Sequence, residues 1–306
     1  MDRKVRLADL SLLLVSLLWG AGFIAVQFAL KSGMPTSLVV MLRFLIGALT
    51  ILAFKFKAIL TINKKELING VIAGAILFFS FFTQTLGQSK TGISNSAFIT
   101  AIYVVLVPFI IWIVKRKPPK LKMFFLVFTT LIGVIVLTYT AGTKMFSFSE
   151  GDIYLLVCAV GFASHIVYLG TKAKDLDPVK ITFLQLATSA VLGIIVFFST
   201  DFSYLSNIDW KSGLIAVAYL GVISSAVCYF LQTWAQTITT PSKAAILMSA
   251  ESLFGSLFAV LIGFEIFRIN ILIGGILILG SVLLSEIDLK RKAEPSIKPR
   301  LETNEE

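Results

Sequence analysis

The chain has 306 residues, of which 57% are hydrophobic and 14% charged, and its mean hydropathy is +0.91. A soluble domain is typically about 45–50% apolar and about 25% charged, so this composition indicates a protein whose main solvent is lipid. The net charge of +10 could suggest a nucleic-acid partner. The basic residues, however, lie in short runs between apolar stretches and form no continuous face, which argues against nucleic acid.

Apolar stretches long enough to cross a bilayer follow one another along the chain. A bilayer core about 30 Å thick requires about 20 mostly apolar residues per crossing helix. Charged, proline-containing or glycine-containing breaks separate ten predicted spans, near 8–30, 36–54, 67–86, 92–114, 121–140, 152–171, 179–199, 212–234, 242–263 and 270–287. The predicted fold is an all-α polytopic membrane protein, with a charged segment at 290–306 that we expect to be a disordered cytoplasmic tail.

The distribution of lysine and arginine predicts the orientation in the cell (inner) membrane. If the N-terminus is cytoplasmic, 21 basic residues fall in cytoplasmic segments and five fall outside. Short cytoplasmic loops retain Lys and Arg, so the pattern predicts that both termini are cytoplasmic.

Two blocks of the sequence occur twice, which predicts an internal repeat. One alignment of the chain with itself, which we call the first alignment, places Asp9 on Asp152. The second alignment, in which the chain is shifted slightly further against itself, places Gln84 on Gln232. We therefore predict two five-helix domains, 8–144 and 150–287. Because five is an odd number of spans, the second domain would enter the membrane in the opposite orientation, an arrangement that suits alternating access.

Several local patterns resemble those of one transporter family. The patterns are Leu18-Trp19-Gly20-Ala21-Gly22-Phe23 ("WGxxF"), Leu42-Arg43-Phe44 ("RF"), and Ala250-Glu251-Ser252 with Gly263-Phe264-Glu265 ("EPxxA…LGE"). On these residues the chain resembles the drug/metabolite transporter (DMT) superfamily, specifically its EamA-type ten-span members. Ser252 stands where that family usually has proline, which leaves a kink there undecided. The resemblance implies export or uptake of small metabolites such as amino acids through a central cavity between the repeats.

Two charged residues within predicted spans are candidates for the substrate site. Glu251 lies near the middle of span 9, where an ionised acid costs about 2.5–3.5 kcal/mol on insertion scales. It could bind a coupling proton, face a cationic part of the substrate, or serve as a structural acid bonded to a neighbouring helix. Arg43 in span 2 either attracts a carboxylate or caps helix carbonyls, or extends its guanidinium to the membrane surface.

Four glutamines form matching polar faces in spans 3 and 8. Residues four apart share a helix face, so Gln84 lies with Gln88, and Gln232 lies with Gln236. We predict that Gln84 and Gln232 line a cavity wall, with hydrogen bonding between helices as the alternative. Gln88 and Gln236 could simply lie at the membrane surface.

Aromatic residues and the single histidine complete the candidate site. Trp19, Tyr103, Tyr168 and Tyr229 could surround an organic substrate, because aromatic rings bury much area and keep a polar group. With 26 phenylalanines in the chain, packing against lipid or neighbouring helices is the alternative for these rings. His165 in span 6 could relay protons or form a packing hydrogen bond.

A membrane-embedded enzyme and a channel are the alternatives to a transporter. One histidine and no mid-span aspartate pair argue against an intramembrane protease, and the absence of GxxxxGK[ST] argues against ATP-driven transport within this chain. Neither rings of charge nor a carbonyl-filter motif indicates a channel. Cys158 and Cys228 lack metal-ligand spacing, so no metal or cofactor is predicted. The prediction is a secondary transporter without enzymatic activity, either monomeric or homodimeric, and the resemblance favours export over import.

Overall fold

The computed structural model describes residues 3–138, 149–264 and 266–287. In chain order the helices are α1 (Arg3–Lys31), α2 (Thr36–Ile59), α3 (Lys64–Lys90), α4 (Ile93–Ala101), α5 (Tyr103–Lys115), α6 (Leu121–Thr138), α7 (Glu150–Leu169), α8 (Pro178–Thr200), α9 (Trp210–Ala218), α10 (Cys228–Ile238), α11 (Pro241–Met248), α12 (Glu251–Leu261) and α13 (Ile269–Ile287). A 3₁₀ turn (Phe202–Asn207) precedes α9, and a π-helical segment (Tyr219–Val227) joins α9 to α10. We call the described residues up to 138 the first half and those from 149 the second half.

The prediction of an all-α polytopic membrane fold is confirmed. Within the described ranges, eight helical units are long and apolar enough to cross a membrane: α1, α2, α3, α4 with α5, α7, α8, α9 through α10, and α11 with α12. Two shorter apolar helices, α6 and α13, occupy the places of the predicted spans 121–140 and 270–287. The predicted tail at 290–306 and the predicted repeat boundary at 144 lie outside the described residues.

Local sequence signals explain where several helices begin. Asn63 and Glu66 form a reciprocal capping box at the start of α3, and Ser149 with Asp152 forms another at the start of α7. Each box satisfies two backbone N–H groups that the first turn leaves unpaired. The side chain of Asp177 caps α8 in the same way and is followed by a proline at the first helical position.

Three of the spans are not continuous α-helices. Besides the span that contains the π-helical segment, span 4 is interrupted at Ile102, between α4 and α5, and span 9 is interrupted at Ser249 and Ala250, between α11 and α12. The break in span 9 forms without proline: the Ser252 hydroxyl donates to the Ser249 carbonyl at 2.9 Å. These interruptions place Tyr103 and Glu251 at the first positions of α5 and α12.

Helices of the two halves pack against each other. The chief cross-half contacts join α2 to α8, α3 to α7 and α8, α6 to α13, and α1 to α10 and α12. The approach of α1 to α12 is close because Gly20 lacks a side chain: a Cβ there would lie 2.6 Å from the Phe254 Cβ and 2.8 Å from the Gly255 nitrogen. Small residues permit such close helix contacts in membranes, and the resulting interface encloses a cavity.

Candidate functional site

A cavity lies between the halves, near the middle of the helices. The space between its walls amounts to about 500 Å³, open solvent included. Its walls come from α1, α2, α3, α5, α7, the π-helical segment, α10 and α12. The lining residues are Trp19, Gly22, Phe23, Val26, Arg43, Phe81, Gln84, Gln88, Tyr103, Phe162, Ile166, Ser224, Tyr229, Gln232 and Glu251.

Seven of the predicted site residues meet at this cavity: Glu251, Gln84, Gln232, Trp19, Tyr103, Tyr229 and Arg43. Tyr168 does not, because its hydroxyl donates to the Asn69 side chain at 2.8 Å. His165 lies behind the wall, where a ring nitrogen shares a 2.8 Å hydrogen bond with the Gln185 side-chain oxygen. The structure therefore brings together most of the predicted set and leaves the roles of its members as predictions.

Glu251 is buried and lies next to Tyr103. The break in span 9 makes Glu251 the first residue of α12, where the helix macrodipole favours a negative charge. Its side chain is only 4% exposed. The Tyr103 hydroxyl lies close enough to interact with the carboxylate, but the geometry is too poor for a regular hydrogen bond. An intramembrane acid is thus held at the cavity wall.

Arg43 points into the protein interior and not to the membrane surface. It is 2% exposed, and its guanidinium donates to Ser225 Oγ at 3.3 Å and to Ser224 Oγ at 3.1 Å. The guanidinium carbon also lies 4.0 Å from the centre of the Phe81 ring. Both serines belong to the π-helical segment, a distortion that often occurs at functional sites.

Three buried polar atoms at the cavity have no hydrogen-bond partner in the described part of the chain. They are the hydroxyl oxygens of Tyr103 and Tyr229 and the side-chain oxygen of Gln232. Most buried polar groups in folded proteins are paired, because an unpaired one costs about 1–3 kcal/mol. These atoms are therefore available to bond a polar molecule that enters the cavity.

Aromatic rings enclose the cavity, and some of them were not predicted. Trp19 lies 5.3 Å from Tyr229, centre to centre, and its indole N–H donates to the Ser224 carbonyl at 2.9 Å. Phe81 and Phe162, absent from the predicted site, meet edge to face at 4.9 Å. The repeat was the signal that could have identified them, since the first alignment places Trp19 on Phe162 and the second places Phe81 on Tyr229.

Several of the lining residues match in pairs in the alignments found in the sequence. The second alignment places Gln84 on Gln232 and Tyr103 on Glu251. A buried hydrogen bond is also duplicated. Gln88 donates to the Phe23 carbonyl at 2.8 Å, and Gln236 donates to the Ile166 carbonyl at 2.8 Å. Both of these glutamines are buried and not at the surface.

The sequence model of the EamA-like transporter family matches this chain twice, over residues 6–139 and 149–286. The chain belongs to that family. It is therefore a multi-pass membrane protein of a transporter family, and the resemblance found in the sequence motifs is confirmed.

Similar proteins agree with this assignment. A protein of Archaeoglobus fulgidus described as an uncharacterized transporter is 30% identical over 279 residues, which cover 90% of this chain and 85% of the relative. The uncharacterized inner membrane transporter YicL of Salmonella typhimurium is 23% identical, with 95% and 98% covered. A crystal structure with 17% identity superposes with a TM-score of 0.77 over 92% of this chain and 98% of its own, which shows the same fold.

Proposed function

We propose that the protein is a secondary active transporter that moves small metabolites, such as amino acids or organic drugs, by alternating access, and that it exports them. The observation that carries this proposal is the cavity itself: one buried acid, one buried arginine and unpaired polar atoms face a common space between the halves. Burying such groups in lipid is costly, and their convergence is typical of a substrate pathway.

The two charged residues suggest how a substrate is held. Glu251 would bind a cationic group or a coupling proton. Arg43 would attract a carboxylate, because in the described residues its guanidinium contacts serine hydroxyls and a ring and forms no ion pair. The unpaired oxygen of Gln232 and the two tyrosine hydroxyls would complete the hydrogen bonding, and the surrounding rings would contact apolar parts.

Two inverted domains, which we propose span 8–144 and 150–287, would allow alternating access. The family model matches two successive ranges, and the Gln88 and Gln236 hydrogen bonds occupy matching positions in the two halves. Exchange of the two halves' conformations would turn access from one membrane face to the other. The excess of basic residues in alternate loops supports a cytoplasmic location for both termini. The description of both relatives as transporters supports a function without enzymatic activity.

Thermal unfolding of the purified protein in detergent, in the presence of single amino acids, nucleosides and cationic drugs, tests this proposal. A ligand that binds only the folded protein raises its apparent stability. At least one compound should raise the melting temperature, and Glu251→Gln should abolish that rise. Glu150→Gln is the matched control, because Glu150 is an exposed acid away from the cavity.

Counterflow of the stabilising compound in liposomes tests the transport step. Unlabelled compound trapped inside should drive uptake of radiolabelled compound, and Glu251→Gln should lose this exchange. A compound that binds but is never exchanged would contradict the proposal of alternating access. A stabilising effect that Glu251→Gln leaves unchanged would remove Glu251 from the site.

A further inference from the structure

A buried ion pair joins the two halves at one end of the cavity. The Lys243 ammonium nitrogen lies 2.7 Å from an Asp9 carboxylate oxygen, and each side chain is only 6% exposed. Asp9 lies in the second turn of α1, and Lys243 lies in the first turn of α11. The contact therefore lies toward the membrane face at which α1 begins, which we call the N-terminal face.

A related contact lies at the other end. The first alignment places Asp9 on Asp152, and the second places Asn95 on Lys243. The Asn95 amide donates to an Asp152 carboxylate oxygen at 2.6 Å. Successive spans reverse direction, so the starts of α4 and α7 lie at the face opposite to that of Asp9. The same two positions are thus bonded at each face, with a full ion pair at one face and a neutral donor to a carboxylate at the other.

The two contacts lie at matching sequence positions relative to Glu251 and Tyr103. Lys243 precedes Glu251 by eight residues, and Asn95 precedes Tyr103 by eight. Eight residues of helix extend about 12 Å. Each contact ties a first-half helix to a second-half helix, α1 to α11 or α4 to α7. Separation of the halves at either face would have to break the contact at that face.

The cavity extends further toward the face opposite to the N-terminal face than toward the ion pair. Its lining includes Gln88, near the end of α3 at the face opposite to the N-terminal face, but not the matching Gln236. Gln236 instead receives a 3.2 Å hydrogen bond from Gln232 and bonds to α7. The N-terminal end is therefore the more tightly closed end in this structure.

We infer that Asp9 and Lys243 form a latch that holds the cavity closed toward the N-terminal face, and that Asn95 and Asp152 form its weaker counterpart at the opposite face. The inference rests on the proposed alternating access. Two opposite charges attract each other more strongly in a water-poor interior than a charge attracts a neutral amide. The difference between the latches biases the resting protein toward closure at the N-terminal face.

Cysteine labelling tests the latch without any substrate. Ile166, a lining residue near the end of α7 at the N-terminal face, is replaced by cysteine in a background with Cys158→Ala and Cys228→Ala. A membrane-impermeant maleimide is then applied to vesicles of each orientation, and the labelling rate is measured with and without further substitutions.

Loss of the ion pair should open the N-terminal face. Lys243→Ala should raise labelling from that face roughly tenfold, as expected when a closed state loses the contact that favours it. The exchange of Asp9→Lys with Lys243→Asp should restore slow labelling. Asn95→Ala is the matched control and should not speed labelling from the N-terminal face, because it weakens only the contact at the opposite face.

A second variant covers the case in which a lone buried charge prevents folding. Asp9→Asn combined with Lys243→Gln removes both charges of the ion pair together and keeps polar side chains at both positions, so it should fold and still speed labelling. Unchanged labelling in this variant, or fast labelling in the charge exchange, would overturn the latch. Failure of the proposed transport function would instead appear as absent counterflow while the labelling differences persist.

Discussion

The two halves of the molecule share a buried framework, yet they differ in the chemistry that faces the cavity. Gln88 and Gln236 make the same hydrogen bond to matching carbonyls, each at 2.8 Å. Tyr103 and Glu251 occupy matching positions at the starts of α5 and α12, but one is a phenol and the other an acid. The contacts at the two ends differ in charge in the same way.

The shared and the differing positions indicate two kinds of polar residue, those that position helices and those that act on a substrate or on the direction of opening. A hydrogen bond that positions a helix is useful in both halves, because both helices must be held against a neighbour. A residue that recognises a substrate or biases one direction is useful in one half only. The predictions below test this distinction, from the largest expected effect to the smallest.

Glu251→Gln should impair transport more than Tyr103→Phe. Glu251→Gln should lower counterflow by at least roughly tenfold, which corresponds to about 1.4 kcal/mol. Tyr103→Phe should lower it less, because the Tyr103 hydroxyl carries no charge and makes only an imperfect contact with the Glu251 carboxylate. Equal losses of flux in the two variants would contradict a special role for the acid.

Gly20→Ala should destabilise the contact between α1 and α12. The added methyl would lie 2.8 Å from the Gly255 backbone nitrogen, which cannot move as a flexible side chain would. Overpacking of this kind costs about 1–3 kcal/mol, measurable by thermal unfolding in detergent. Gly280→Ala is the control, because a Cβ there meets nothing within 4 Å. The matching position in the second half is already Ala163, so a mild effect at Gly20 would show that the halves pack alike.

Gln236→Leu should destabilise the protein more than Gln88→Leu. Gln88→Leu removes the bond to the Phe23 carbonyl, for an expected loss of about 1 kcal/mol. Gln236→Leu removes the bond to the Ile166 carbonyl and also the bond from Gln232. Thermal unfolding of both variants measures the difference, and a larger loss for Gln88→Leu would contradict the hydrogen-bond account.

Asp209→Ala should have the smallest effect and should depend on pH. Asp209 caps α9 in a loop of the second half, and hydrogen bonds from Ser212 and the backbone lower the pKa of its carboxyl below the ordinary value. A lowered pKa adds stability that is present at neutral pH and is lost as the pH falls through it. The difference in melting temperature between wild type and Asp209→Ala should therefore shrink in acid. A difference that grows in acid would contradict the cap.

Residue chemistry alone was sufficient for the architecture and for part of the site. Lipid offers the backbone no hydrogen bonds, so successive long apolar stretches had to become helices, including 121–140 and 270–287, where the structure has the two shorter apolar helices. The cost of an intramembrane acid predicted a cavity position for Glu251, which the structure places in the lining. The second alignment matched Gln84 with Gln232 before any contact was known.

Tertiary structure decided which of these residues meet. It brought Ser224 and Phe162 to the cavity, turned Arg43 inward, and placed His165 and Tyr168 outside, because contact depends on how helices from distant parts of the chain pack and rotate. The sequence pattern predicts which face of a helix is buried but not which other helix packs against that face. Asp9 and Lys243 lie near opposite ends of the chain, so their ion pair became visible only when α1 and α11 were packed together.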